Sequence, residues 1–130
     1  MEYNEMDQFK KIYFIECFEL LSNMEQLLME LEEAAIDLET VNAIFRCAHS
    51  IKGGAGGFGF KRLSQVTHVL ETLLDILREG KAKLNQSMID CLLSSVDILN
   101  KLVVAAQNAH DLEDDFGHEV VTQLEALVLE

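Results

Sequence analysis

Apolar residues recur at three- and four-residue steps along nearly the whole chain, the spacing that lines one face of a helix. Phe9, Ile12, Tyr13, Phe14, Cys17, Phe18, Leu21, Met24, Leu28 and Leu31 form the first such set and predict a helix over about 6–32. Because the set nearly encircles the start of that helix, a neighbour is expected to cover part of it. Met24 and Met29 are expected to fill gaps in the core, as methionine commonly does. Val41, Ile44, Phe45, Ala48, Ile51, Ala55 and Phe58 predict a second helix over about 38–57, with Asp37 or Thr40 as its N-cap. Phe58-Gly59-Phe60 reads as a tight corner whose two rings anchor in the core.

The sharpest amphipathic stripe follows, over about 61–79: Leu63, Val66, Leu70, Leu73, Leu74 and Leu77. His68, Glu71 and Asp75 share its polar side, and Glu71 lies nearest the apolar edge, within reach of an adjacent helix. Gly80 ends this helix behind Arg78, and Asn85 caps the next. The fourth helix, about 86–108, buries Ile89, Leu92, Leu93, Val96, Leu99 and Val103. After a solvated acidic linker at Asp111–Asp115, Val120, Val121, Leu124, Leu127 and Val128 mark a short fifth helix over about 117–128. Four long helices with short connections predict one all-α domain over 1–130: an up-down antiparallel four-helix bundle with a fifth, C-terminal helix.

Composition narrows the function classes. Apolar residues make up 49% of the 130 and there is no proline, which favours a packed helical domain over disorder despite a net charge of −13. That acid excess argues against nucleic acid as a partner and against an anionic membrane surface. No apolar run is long enough to span a bilayer, so no membrane insertion is expected. The start, Met1-Glu2-Tyr3-Asn4-Glu5, lacks the basic residues of a signal peptide. Cys17, Cys47 and Cys91 are widely spaced and lack zinc-type pairing; they read as buried reduced thiols of a cytoplasmic protein.

One stretch breaks the pattern. Five of the seven glycines fall between 53 and 59, although the apolar spacing there is helical. Each helical glycine costs ~1 kcal/mol relative to alanine, so four of them cost roughly 4 kcal/mol against a domain total of only ~5–15 kcal/mol. A C-cap accounts for Gly57 or Gly59, but not for Gly53 and Gly54 directly after a lysine. At about 100° per residue, His49, Gly53 and Gly56 share a strip beside the buried face, with Lys52 across it near the core edge. Close approach of another molecule to His49 accounts for such bare backbone.

His49 has the setting of a nucleophile. One ring nitrogen must be free while the other is held in a fixed tautomer, and Glu71 on the neighbouring helix is placed to hold it. Lys52, three residues on, can offset charge on a transferred anionic group. His68, one turn before Glu71, is a candidate partner in the outer network. Ser50 does not complete a hydrolase triad, because adjacent helical residues point apart. A metal site from His49, His68 and Glu71 lacks the usual ligand spacings, and Lys52 would repel the cation. His110 and His118, in or beside the acidic linker, read as ordinary solvated residues. A docking module in which His49 has no covalent role is the alternative. There is no phosphate-cradling loop in a strand–loop–helix context, so a phosphoryl group would have to come from something else.

The run His49-Ser50-Ile51-Lys52-Gly53-Gly54-Ala55-Gly56-Gly57-Phe58-Gly59-Phe60 resembles the H-S-x-K-G signature of histidine phosphotransfer domains. More narrowly, it is similar to the N-terminal phosphotransfer domain of chemotaxis histidine kinases of the CheA type. Met24-Glu25-Gln26, Asn42-Ala43-Ile44-Phe45-Arg46 and Thr67-His68-Val69-Leu70-Glu71-Thr72-Leu73-Leu74-Asp75 extend the likeness, while Gly57 replaces a polar residue of the family pattern. The resemblance implies a helical phosphoryl carrier phosphorylated on His49 Nε2, with Glu71 orienting the ring and Lys52 and His68 completing the network. Gly53 and Gly56 would form the docking surface. The donor would be ATP, acted on by a histidine kinase ATP-binding domain, and the acceptor an aspartate on a CheY- or CheB-like response regulator receiver domain. On this reading no cofactor is bound stably, ATP and Mg2+ belonging to partner domains. The isolated domain would be a monomer and a fragment of a longer kinase, whose other domains have no counterpart here.

Overall fold

The computed structural model describes residues 5–33, 37–109, 112 and 116–129. Residues 34–36 of the expected connection, His110 and most of the acidic linker lie outside the described residues. Five helices follow in order: α1 (Glu5–Glu33), α2 (Leu38–Phe58), α3 (Lys61–Arg78), α4 (Gln86–Gln107) and α5 (His118–Leu129). Their bounds agree with the apolar periodicity to within a residue or so. Among the described residues no helix is long and apolar enough to cross a membrane.

Helix ends are set by local chemistry. The Asp37 carboxylate caps α2, accepting from Glu39 N at 3.0 Å, and Asn85 caps α4, accepting from Met88 N at 2.9 Å. Between α2 and α3 the chain reverses in a Schellman turn: Gly59 takes φ +78°, and Phe60 N donates to Ala55 O at 2.9 Å. Gly80 closes α3 in the same way, with φ +74° and Lys81 N donating to Ile76 O at 3.1 Å.

Consecutive helices pack side by side and α1 closes on α4, giving the expected up-down ring. The stripe on α3 is buried throughout, as are Cys17, Cys47 and Cys91, all three free thiols. The fifth helix lies against α3 and α4, and Leu124 is fully buried in a core cluster that draws on all five helices. It is part of the core rather than an appendage.

Some expected core positions are not buried. Phe9 and Ile12 on α1 are more than half exposed, with Met6 and Ile15 beside them, and no described residue covers them. The apolar excess at the start of α1 runs past the width that one packed face can bury. Met24 is fully buried, but Met29 is exposed; on α2, Phe45 and Phe58 are only half-buried. Phe58 and Phe60 join Tyr13 and Phe14 in an aromatic cluster that ties the α2–α3 corner to α1, with centroids 5.3 Å apart for Tyr13–Phe58 and 5.5 Å for Phe14–Phe60.

Candidate functional site

The corner at Gly59 runs α3 back along α2, so that residues 49 and 71 come opposite one another. The stripe on α3 leaves Glu71 at the edge of the interface, where its side chain is 14% exposed. There it meets two residues of α2. His49 Nδ1 lies 3.2 Å from Glu71 Oε1, and Lys52 Nζ lies 2.8 Å from Oε2. Oε2 is buried, and the ammonium is the charge that faces it.

The carboxylate settles the tautomer. An ionised carboxylate only accepts hydrogen bonds, so the proton between the two groups sits on His49 Nδ1 and Nε2 carries the free lone pair. The His49 side chain is 63% exposed, and Nε2 makes no hydrogen bond among the described residues. A nucleophilic nitrogen is thus held at the surface by a partner behind it. Burial pushes the Glu71 carboxyl up, but Lys52 and His49 together outweigh it and hold it below the usual carboxylate range.

A depressed pKa makes the group a source of stability at neutral pH. The contribution is present above the unfolded carboxylate value, about 4.3, and is lost as pH falls through the lower folded one. Glu71→Gln should therefore be less stable than the native protein at pH 7, with the difference closing below about pH 4. Denaturant melts of both proteins at the two pH values check this; comparing the pair removes the effect of the other carboxylates.

The glycines divide into two kinds. A methyl group added at Gly53 or Gly56 would meet nothing within 4 Å, so the strip beside His49 is open backbone. Gly54 differs: its Cβ would fall 2.1 Å from Tyr13 Cε1. The body approaching Gly54 is therefore the ring of Tyr13 in α1, whose hydroxyl donates to Ile51 O at 2.5 Å, and not an external partner. His68 stands exposed on α3, and its side chain makes no hydrogen bond or ion pair among the described residues. The expected outer network is therefore limited to Lys52. Ser50 is exposed on a different groove, beside Glu19, Ser22 and Asn23 of α1. No group of three or more His, Cys, Asp or Glu side chains is arranged to hold a metal among the described residues.

A neighbour of His49, and the cation that packs on that neighbour, were hidden in the sequence. Phe45 reads there as a core residue and Arg78 only as the last cation before Gly80. In the structure the Phe45 ring stacks on the imidazole, and the Arg78 guanidinium lies over Phe45. The four-residue step from 45 to 49 was the available signal for the first pair.

With this helical fold and its surface histidine in view, residues 8–128 match the family model described as Hpt domain. The chain belongs to the Hpt domain family. Within it, the chain is similar to the bacterial chemotaxis protein CheA: 41% identical over 123 residues to that of Rhizobium meliloti (strain 1021) and 40% over 126 residues to that of Salmonella typhimurium. These alignments cover 95% and 97% of this chain but only 16% and 19% of the relatives. Among solved structures, the CheA phosphotransferase domain from Thermotoga maritima superposes with a TM-score of 0.73 at 31% identity, covering 80% of this chain and 98% of that one. The phosphorylated P1 domain of CheA3 in complex with CheY6 from R. sphaeroides shares the fold, with a TM-score of 0.87 at 22% identity over 95% and 97% of the two chains.

Proposed function

We propose that His49 is the phosphoryl acceptor of this domain and that the chain carries phosphoryl groups from a kinase domain to a receiver domain. The observation that carries the reading is the exposed imidazole whose Nδ1 is tied to Glu71 and whose Nε2 is free. In the first step the Nε2 lone pair attacks the γ-phosphorus of ATP held by a histidine kinase ATP-binding domain. A P–N bond forms, the bond to ADP breaks, and the ring becomes cationic with its Nδ1 proton still held by Glu71. In the second step a receiver-domain aspartate attacks phosphorus, the P–N bond breaks, and the ring returns to its neutral form. Neither step requires a proton to leave the ring.

The chain's own residues supply position and charge, which is most of what a loose phosphoryl transition state needs. Glu71 offsets the positive charge on the phosphorylated ring, and Lys52, paired with the same carboxylate, adds a cation beside the site. The bare strip at Gly53 and Gly56 lets a partner's active site close over Nε2. A CheY- or CheB-like receiver is the inferred acceptor, in keeping with the R. sphaeroides CheA3–CheY6 complex. ATP and Mg2+ then enter with the kinase domain, and the site belongs to a cytoplasmic chemotaxis-type pathway in which this domain acts as a monomer.

The test is to incubate the domain with ATP, Mg2+ and a CheA kinase core and to map the modified residue by mass spectrometry under neutral conditions. One phosphoryl group on His49, discharged by a receiver domain, is the expected result. A domain that binds the receiver but never takes up phosphate would instead support a docking module.

A further inference from the structure

Phe45 lies one turn N-terminal to His49 on α2. Its ring plane is 11° from that of the imidazole and the centroids are 5.9 Å apart. Arg78, at the end of α3, contacts the same phenyl ring with Cζ 3.8 Å from its centroid. The guanidinium is itself fixed: Nη1 donates to Asn42 Oδ1 at 3.0 Å, and Nε donates to Asp75 Oδ1 at 2.7 Å. Asn42 precedes Phe45 by one turn and His49 follows it by one. Along the α2 axis, Phe45 is therefore bracketed by an anchored cation and by the reactive ring.

A single hydrogen bond from Nδ1 to Glu71 fixes one atom of the imidazole but not its plane. Rocking of the ring would carry Nε2 through an arc and bend the Nδ1–H···Oε1 bond out of line, weakening the hold on the tautomer, and a ring 63% exposed has few other neighbours to stop it. A parallel aromatic face one turn away removes that freedom. The cation over the phenyl ring keeps the face itself in place, since such contacts attract and Arg78 is held from two further directions.

We propose that Phe45, held by Arg78, is a positioning residue that sets the plane of His49 and so aims Nε2 outward. The proposal rests on His49 being the phosphoryl acceptor. A residue that only packed the α2–α3 interface would affect stability and leave the ring's tautomer balance alone.

The experiment uses the whole domain and two readouts. Long-range 1H–15N spectra in mildly alkaline solution report the Nδ1–H tautomer of His49, and phosphoramidate, a small donor that needs no docking protein, reports its reactivity. In Phe45→Leu, which keeps apolar bulk but loses the flat face, the Nδ1–H population should fall and phosphorylation should slow about tenfold, the order expected for a misaimed reacting atom. Phe45→Tyr should restore both. A folded Phe45→Leu with the native tautomer balance and rate overturns the proposal, as does failure of Phe45→Tyr to restore them. If Phe45→Leu does not fold, Arg78→Met decides on the same readouts: a smaller shift in the same direction is expected, and no shift overturns the bracket. Should the native domain take up phosphate neither from phosphoramidate nor from ATP with a kinase core, the acceptor reading falls, while the tautomer comparison still judges the role of Phe45.

Discussion

Replacing His49 by glutamine is expected to abolish phosphoryl uptake altogether while leaving the fold intact. Glutamine can still hydrogen-bond Glu71, but its amide nitrogen has no lone pair available for attack. A side chain 63% exposed contributes little to packing, and surface substitutions of this kind usually stay within about 0.5 kcal/mol. Loss of label from labelled ATP in the presence of a kinase core, with an unchanged thermal melt, is the combined signature. The native label should be labile in acid and stable in base, as a phosphoramidate bond requires. Label persisting in His49→Gln would remove His49 from the role and direct attention to another histidine, of which His68 is the exposed one on α3.

The second large effect concerns stability and has opposite signs at neighbouring positions. Gly54→Ala should destabilise the domain by about 2 kcal/mol. Overpacking typically costs ~1–3 kcal/mol, and a contact this close belongs at the upper end; the gain in helix propensity returns ~1 kcal/mol. Tyr13 cannot swing aside cheaply, because its ring is locked against Phe14, Phe58 and Phe60 and its hydroxyl is bonded to Ile51 O. Gly53→Ala, where the added methyl enters open space, should instead gain ~1 kcal/mol. In thermal melts the first should lower Tm by about 5–10 °C and the second raise it by roughly 3 °C. Two variants that both melt higher would show that the Tyr13 ring moves freely.

The helices were legible because each carries a single apolar stripe, and His49, Lys52 and Glu71 were legible because helical spacing puts them beside those stripes. What periodicity could not convey is which residue of another helix fills a given space. The glycine run looked uniform, yet Gly54 makes room for a ring of the protein's own α1, whereas Gly53 and Gly56 face outward. Phe45 reads as core because an aromatic residue on the stripe usually is; its outer face is covered by Arg78, thirty-three positions later. His68 shares the polar side of α3 with Glu71, but spacing says nothing about how far its side chain can reach across to α2. At the start of α1, apolar residues outnumber the positions that one face can bury.

Phe45, His49, Lys52, Glu71 and Arg78 all lie on two antiparallel helices joined by the two-residue reversal at Gly59 and Phe60. Such a hairpin is built from contacts close in sequence, the kind that form early and reform quickly. The reactive nitrogen and everything that aims it therefore travel as one rigid cargo. Its geometry is set within the bundle, away from the chain ends, and would survive attachment by either terminus to a much larger machine.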